Sequence, residues 1–251
     1  NGLGGFLLST NIANPNIKPE MIRENEIGIE MTLFQNRISL VADVYKQKLE
    51  DGIVYTNTAS SSGFTSSLIN AASTETRGFE MELKATLIKS KAVTWIAGIN
   101  YTHIQSKVLS INGDLQSINI GGNSYAVVNH PFPVIETGDW SRDPQGHVIV
   151  DPVTGNPTAD PNLVIQGNAN PTDLIGITSS VSWNHFTLSA TADYRGGYKV
   201  FNSLGEAMDF TGISRTTALT GRQRFVFPNS VVDQGGGKYV KNTNITTDDA
   251  G

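Results

Sequence analysis

Four histidines, His103, His130, His147 and His185, are the first side chains to test for chemistry, because an imidazole can bind a metal or carry a proton near neutral pH. They are scattered, and no two of them have metal-ligand spacing. His185 falls in a predicted tight turn, where a solvated surface histidine is the plainer reading. Glu80 and Glu82 stand two residues apart, which in a strand puts both carboxylates on one face. Such a pair could divide acid and base roles, but the same spacing describes the polar side of an amphipathic strand. Glu30 and Asp43 read the same way. Asp143-Pro144-Gln145-Gly146 and Asp151-Pro152-Val153-Thr154-Gly155 offer carboxylate oxygens without the spacing of a calcium loop. Their Asp-Pro and Gly punctuation around Val148-Ile149-Val150 predicts a hairpin inside a long loop. Nucleophile-elbow, phosphate-loop and dinucleotide fingerprints do not occur. Cysteine is absent, which excludes disulfides, thiolate metal sites and thiol nucleophiles. These residues predict neither an enzyme nor a bound cofactor.

Composition narrows the class further. The 251 residues carry a formal net charge of -5, against the basic stripe expected of a nucleic-acid binder. No apolar run approaches the roughly 18 residues of a membrane helix, and mean hydropathy is -0.18. A membrane barrel gives the same average, because its strands alternate apolar and polar residues. Periodicity therefore decides.

Alternation is clear in three places. Ile27, Ile29, Met31 and Leu33 alternate with polar residues, Gln35-Asn36 turns the chain, and Ile38, Leu40, Ala42 and Val44 continue. Phe79, Met81, Leu83, Ala85 and Leu87 precede a turn at Lys89-Ser90-Lys91, and Val93, Trp95, Ala97, Ile99 and Tyr101 follow it. In the third pair Ile175, Ile177, Val181 and Trp183 share a face on which Ser179 is the exception. After Asn184-His185 come Phe186, Leu188, Ala190, Ala192 and Tyr194. Each predicted strand is about 9–13 residues, enough to cross a bilayer at the usual tilt. Tight turns on one side contrast with long loops predicted over 50–76, 106–173 and 196–251. Phe186 and Tyr194 share a face, and at about 3.3 Å per residue and about 40° of tilt they lie about 20 Å apart in depth, the spacing of two interfacial aromatic girdles.

The pattern predicts an all-β segment of a large antiparallel transmembrane β-barrel with long extracellular loops. A soluble β-sandwich used for binding or adhesion is the alternative, since its strands alternate too. Six strands are too few to close a membrane barrel, so they are expected to pair with more chain. Asn1 opens into the strand-like Gly2-Leu3-Gly4-Gly5-Phe6-Leu7-Leu8, and Asn244 to Gly251 are polar, so both ends read as cut. Tyr198 to Asp209 has helical spacing, and Gly235-Gly236-Gly237 predicts flexibility.

An ordered series of motifs resembles the C-terminal half of the SusC/RagA-like TonB-dependent outer-membrane transporters. Asn14-Pro15-Asn16-Ile17-Lys18-Pro19-Glu20 with Glu26-Ile27-Gly28-Ile29-Glu30 is similar to the family's "NPxLKPE…ExGxE". Phe34-Gln35-Asn36-Arg37-Ile38, Asp43-Val44-Tyr45, Asp51-Gly52-Ile53 and Arg77-Gly78-Phe79-Glu80 resemble the next turn and strands. Asp139-Trp140, Arg142-Asp143, Gly167-Asn168-Ala169-Asn170-Pro171, Ser214-Arg215-Thr216-Thr217-Ala218, Phe227-Pro228-Asn229, Tyr239 and Asn242-Thr243 continue it in order. The family's plug, TonB box and closing strands have no counterpart here.

The resemblance implies import of oligosaccharides or peptides across the outer membrane of a Gram-negative bacterium. It implies a SusD-like surface lipoprotein as lid, the TonB complex as energy source and outer-membrane lipid around the wall, with no nucleic acid involved. Tyr125, Trp140, Arg142, Tyr198 and Arg222 stand in the loops, where aromatic stacking and charged donors suit contact with substrate or lid. Loop packing is the plainer role for each.

Overall fold

The computed structural model describes residues 10–247; Gly2 to Leu8 and the last four residues lie outside them. Strand β1 (Asn11–Ile12) precedes four long strands, β2 (Met21–Leu33), β3 (Ile38–Asn57), β4 (Ser66–Lys89) and β5 (Val93–Ile111). Short strands β6 (Ser117–Gly121), β7 (Ser124–Val127), β8 (Val134–Thr137), β9 (Val148–Val150) and β10 (Val164–Asn168) follow. The long hairpin β11 (Asp173–Trp183) and β12 (Phe186–Gly196) comes next, then α1 (Ser203–Phe210), α2 (Arg215–Ala218), β13 (Ser230–Asp233) and β14 (Tyr239–Lys241). The chain divides into two compact units, residues 1–135 with 166–199, and residues 136–165 with 200–251.

The first unit is a wall. Its long strands lie in the order β12-β11-β5-β4-β3-β2 and every long-strand pairing is antiparallel, so strands consecutive along the wall are neighbours. The first tight turn places Phe34, Gln35 and Asn36 at φ of 52°, 54° and 65°, the twist that closes a short hairpin. Because side chains alternate, the register sorts the wall into rows on two faces. One apolar row runs Ile29, Ala42, Met81, Tyr101, Ile175, Tyr194. Another runs Leu33, Ile38, Ala85, Ala97, Ser179, Ala190. Ser179, the exception in the pattern, accepts the Trp95 indole N–H at 3.0 Å and gives that donor a partner on an otherwise apolar face.

Among the described residues nothing covers the most exposed part of this apolar face. Ile27 is 78% exposed, Phe186 73% and Leu188 76%. A β-sandwich would bury such residues against a second sheet, so the sandwich expectation is not met. The buried cluster of this unit lies elsewhere: Val108, Ile111 and Ala126, with Ile118, Ile120, Val128 and Phe132 packed on them, join the top of β5 to the hairpin of β6 and β7. The edges of β2 and β12 carry no further strand among the described residues, leaving their outer N–H and C=O groups unpaired, a state proteins avoid in isolation.

The wall strands run longer than the alternation implied, and the connection expected over 50–76 shrinks to residues 58–65. Asp51-Gly52, inside that expected loop, is a β-bulge with Asp51 at φ 54°; Gly52 pairs with Ala72, and a second register shift sets Ile53 opposite Asn70. Asn70 fixes that bulge by donating to the carbonyls of Asp51 and Lys18 at 2.7 and 2.8 Å. The loops expected over 106–173 and 196–251 likewise contain strands and helices of their own.

In the second unit, bridges between Trp140 and Ala159, Arg142 and Val148, and Val150 and Pro157 form the expected hairpin around β9. β9 then pairs in parallel with β13, and β13 with β14. Gly235, Gly236 and Gly237, expected to be flexible, take φ of 81°, 63° and 78° and close the turn between β13 and β14. The helical spacing after Tyr198 appears as α1, begun where the Asn202 side chain accepts the Gly205 N–H at 2.9 Å.

Candidate functional site

The face of the wall opposite the apolar rows gathers carboxylates. One row reads Glu30, Val41, Glu82, Asn100, Gly176, Asp193, and the next Gly28, Asp43, Glu80, Thr102, Leu174, Arg195. Glu24 and Glu26 extend the acidic surface, with Gln47 donating to Glu24 at 2.7 Å. Arg195 on these rows and Lys84 on the neighbouring row of the same face oppose seven carboxylates, Asp193 included, so the face carries a net negative field. Glu80 and Glu82 thus occupy the polar face, as their spacing implied. On the same face the ring of Tyr45 lies over Gly78 directly opposite it, where a Cβ would collide with the ring.

A cleft of about 580 Å³ in the second unit brings together His147, Phe227, Asn229, Tyr239, Lys241 and Asn242 among its lining residues. Tyr239 and Lys241 point to one side of β14 because they are two residues apart. Phe227 stacks on Phe225 with ring centres 6.2 Å apart. Asn242 is buried and donates to Ser230 Oγ at 2.9 Å, so it builds the cleft instead of reaching into it. His147 Nδ1 lies 2.8 Å from the buried Asp143 carboxylate. Burial opposes that charge, but the His147 contact and the N–H groups of His147 and Gln145 outweigh it and hold the Asp143 carboxyl below the usual carboxylate range. Aromatic plates beside amides and an ammonium can stack on sugar rings or hold peptide groups.

Asp151 organises the neighbouring turn. Its Oδ1 accepts from the N–H groups of Thr154 and Val153 at 2.7 and 2.9 Å and from the Thr154 hydroxyl, which depresses its pKa. The segment 244–247 seals this turn, with Asn244 donating to the Pro152 carbonyl and the Thr247 N–H to that of Thr154, both at 2.9 Å. A depressed carboxylate stabilises the fold fully above its unfolded value near 3.9 and loses that contribution as pH falls through the lower folded value. Hydrogen exchange corrected for intrinsic rates is therefore expected to show residues 152–155 opening in that acidic window. Asp151→Asn should open them at neutral pH and flatten the dependence.

Of the five residues singled out in the loops, Tyr125 and Tyr198 belong to the first unit and Trp140, Arg142 and Arg222 to the second. Arg142 is engaged by Asp139 and by the Gly146 carbonyl, both at 3.3 Å, which braces its hairpin. Trp140 shares that hairpin and is 45% exposed. Arg222 donates to the Gly212 carbonyl at 2.9 Å, beyond the end of α1. Tyr125 is half-buried in β7 opposite Val134, and Tyr198 is 37% exposed at the end of the first unit. Sequence reasoning passed over Phe227, Tyr239, Lys241 and His147 as contact residues, although Phe227-Pro228-Asn229 and Tyr239 were visible as motifs. Their convergence depends on β13 pairing with β9, some eighty residues away, which spacing does not reveal.

Residues 4–202 match the model of the family described as TonB dependent receptor-like, beta-barrel, and the chain belongs to that family of outer-membrane β-barrels. Among its relatives is TonB-dependent receptor P26 of Formosa agariphila, 24% identical over 213 residues, which cover 76% of this chain and 22% of that protein. TonB-dependent receptor P3 of the same organism is 29% identical over 106 residues, covering 42% of this chain and 11% of the relative. Among solved structures, the RagAB peptide transporter superposes with a TM-score of 0.58 at 19% identity, over 71% of this chain and 21% of that chain. The RagAB peptide importer in its closed-closed state gives 0.59 at 20%, over 74% and 22%. The chain spans about a fifth of the length of P26 and about a tenth of P3. The apolar face of the wall is therefore the lipid face and the carboxylate face the lumen.

Proposed function

We propose that this chain forms wall and loops of a TonB-dependent transporter in the outer membrane of a Gram-negative bacterium. The transporter imports peptides, drawing energy through the TonB complex. The observation that carries the reading is the two-faced wall: a bare apolar band on one side and carboxylates on the other. An acidic lumen favours neutral or cationic cargo and repels anionic cargo. The fold shared with a structure described as a peptide importer supports the peptide branch. In this role the segment performs no catalytic step.

A SusD-like lipoprotein sits on the loops in this reading. The apolar run around α1 supports a protein contact there, since Leu204, Phe210, Ile213 and Leu219 are between 69% and 93% exposed. The stacked pair Phe225/Phe227 beside Tyr239 favours a second reading, with oligosaccharide as cargo.

Uptake by the native host separates the cargoes. Deleting the gene is expected to abolish uptake of labelled peptides, and Glu80→Lys with Glu82→Lys to cut uptake of basic peptides about tenfold relative to acidic ones. Loss of growth on a glycan with peptide uptake intact would transfer the assignment to oligosaccharides. Unchanged uptake of both would overturn transport.

A further inference from the structure

Beyond its apolar rows, the lipid face of β2–β5 changes character within two residues. The apolar band ends where Tyr101 donates to Asp173 at 3.0 Å and His103 Nδ1 lies 2.7 Å from the same carboxylate. The next row toward the long loops reads Asn25, Lys46, Arg77, Gln105, and the one after it Arg23, Lys48, Glu75, Lys107. Lys46 stands directly opposite Arg77, and Arg23 directly opposite Lys48, arrangements that are destabilising without an anion between them. Two carboxylates answer part of that charge. Glu75 meets Lys46 at 3.0 Å and Arg77 at 2.8 Å, while Glu50 meets Lys48 at 2.7 Å and Arg23 at 3.8 Å. Five cations against two carboxylates leave the belt strongly positive, although the chain as a whole is negative.

Depth makes the belt informative. Its rows begin about 5 Å beyond Phe79 and reach about 10 Å, which is the headgroup layer on the side of the long loops, the outer leaflet. The cations remain open to that layer, with the Arg23 and Arg77 side chains each 67% exposed. Arg77, Gln105 and Lys107 also line a cleft of about 700 Å³ together with Asn129, Asn168 and Asn170, and with Glu75, the carboxylate already paired to Arg77. Guanidinium and ammonium groups beside several amides suit a phosphate attached to a polyhydroxylated headgroup.

We propose that this belt binds the phosphate of an outer-leaflet lipid headgroup. Arg77, Lys46 and Lys107 hold the phosphate, and the acyl chains lie along the apolar rows below. The site is separate from the cargo path on the lumen face, so it can stand or fall independently of the cargo assignment.

The test uses the full-length transporter, delipidated in detergent and titrated with defined lipids under native mass spectrometry. The probes are a phosphorylated outer-leaflet glycolipid, its dephosphorylated form and phosphatidylglycerol. Phosphate-dependent binding is expected to weaken about tenfold or more in the variant carrying Lys46→Gln, Arg77→Gln and Lys107→Gln. Lys107→Gln alone breaks none of the ion pairs above and should weaken binding without disturbing the fold. Preference for the phosphorylated glycolipid over phosphatidylglycerol identifies a glycolipid source; equal binding of the two identifies the phosphate alone. Equal retention of phosphorylated and dephosphorylated glycolipid, or unchanged binding in both variants, would overturn the proposal.

Discussion

Replacing Ala190 by arginine in the full-length protein is expected to cost about 2–4 kcal/mol and to strip most of the folded barrel from the outer membrane. Ala190 lies midway between Phe186 and Tyr194 on the lipid face, at the depth where a charge is most expensive. Its neighbour Thr191 faces the lumen opposite Thr178, so Thr191→Arg should be tolerated within a fraction of that cost. Two adjacent residues of one strand would then give opposite outcomes. Heat-modifiability on gels, which reports folded barrel, measures both. A soluble protein of similar fold would show the reverse or no difference, because an exposed alanine on a water-facing sheet accepts arginine.

Gly78→Val is the second large effect. The Tyr45 ring occupies the space above Gly78, and a side chain there must displace the ring or part β3 from β4. Overpacking of this kind costs about 1–3 kcal/mol. It strikes the middle of the longest pairing in the wall, so assembly should suffer along with stability. Tyr45→Ala removes the obstacle. The double variant Tyr45→Ala with Gly78→Val is expected to be less damaged than the sum of the single changes, a coupling readable by denaturant titration of the refolded protein. Strict additivity would show that the ring and the glycine do not share the space.

These effects indicate what the sequence could convey and what it could not. Alternation located all six wall strands and the three tight turns, because a strand that must face lipid on one side and a polar lumen on the other has little freedom in pattern. The acidic inner face was visible in Glu30, Asp43, Glu80 and Glu82 for the same reason. Strand ends were less legible: Asp51-Gly52 carries the composition of a turn, but its use here is a bulge, and only the Asn70 contacts across the pair distinguish the two. The basic belt was hidden by averaging. Lys46 and Lys48 are neighbours on one strand, but Arg23, Arg77 and Lys107 lie far from them in sequence, and only the register of four strands brings all five onto one face. The loop residues Tyr125, Trp140, Arg142, Tyr198 and Arg222 were chosen by type. The fold engages Arg142 and Arg222 in local bracing and leaves Trp140 with much of its ring in the open.

The edges of β2 and β12 bear on the family assignment. Each offers a run of unpaired backbone groups beside an exposed apolar face, conditions under which an isolated sheet aggregates. Further barrel strands supply the partners these edges require, in keeping with relatives several times longer than this chain. The wall is thus stabilised by completion of the barrel and by lipid, and little by a core of its own.

The most direct test of the central claim is accessibility along β12. The chain contains no cysteine, so single cysteines at 187 to 193 can be introduced one at a time into the full-length protein, spin-labelled and measured in outer-membrane vesicles. A lipid-spanning wall predicts that collisions with membrane-dissolved oxygen peak at 188, 190 and 192. Collisions with a water-soluble nickel complex should peak at 187, 189, 191 and 193. Equal access of the nickel complex to both sets, with no period of two, would contradict the barrel.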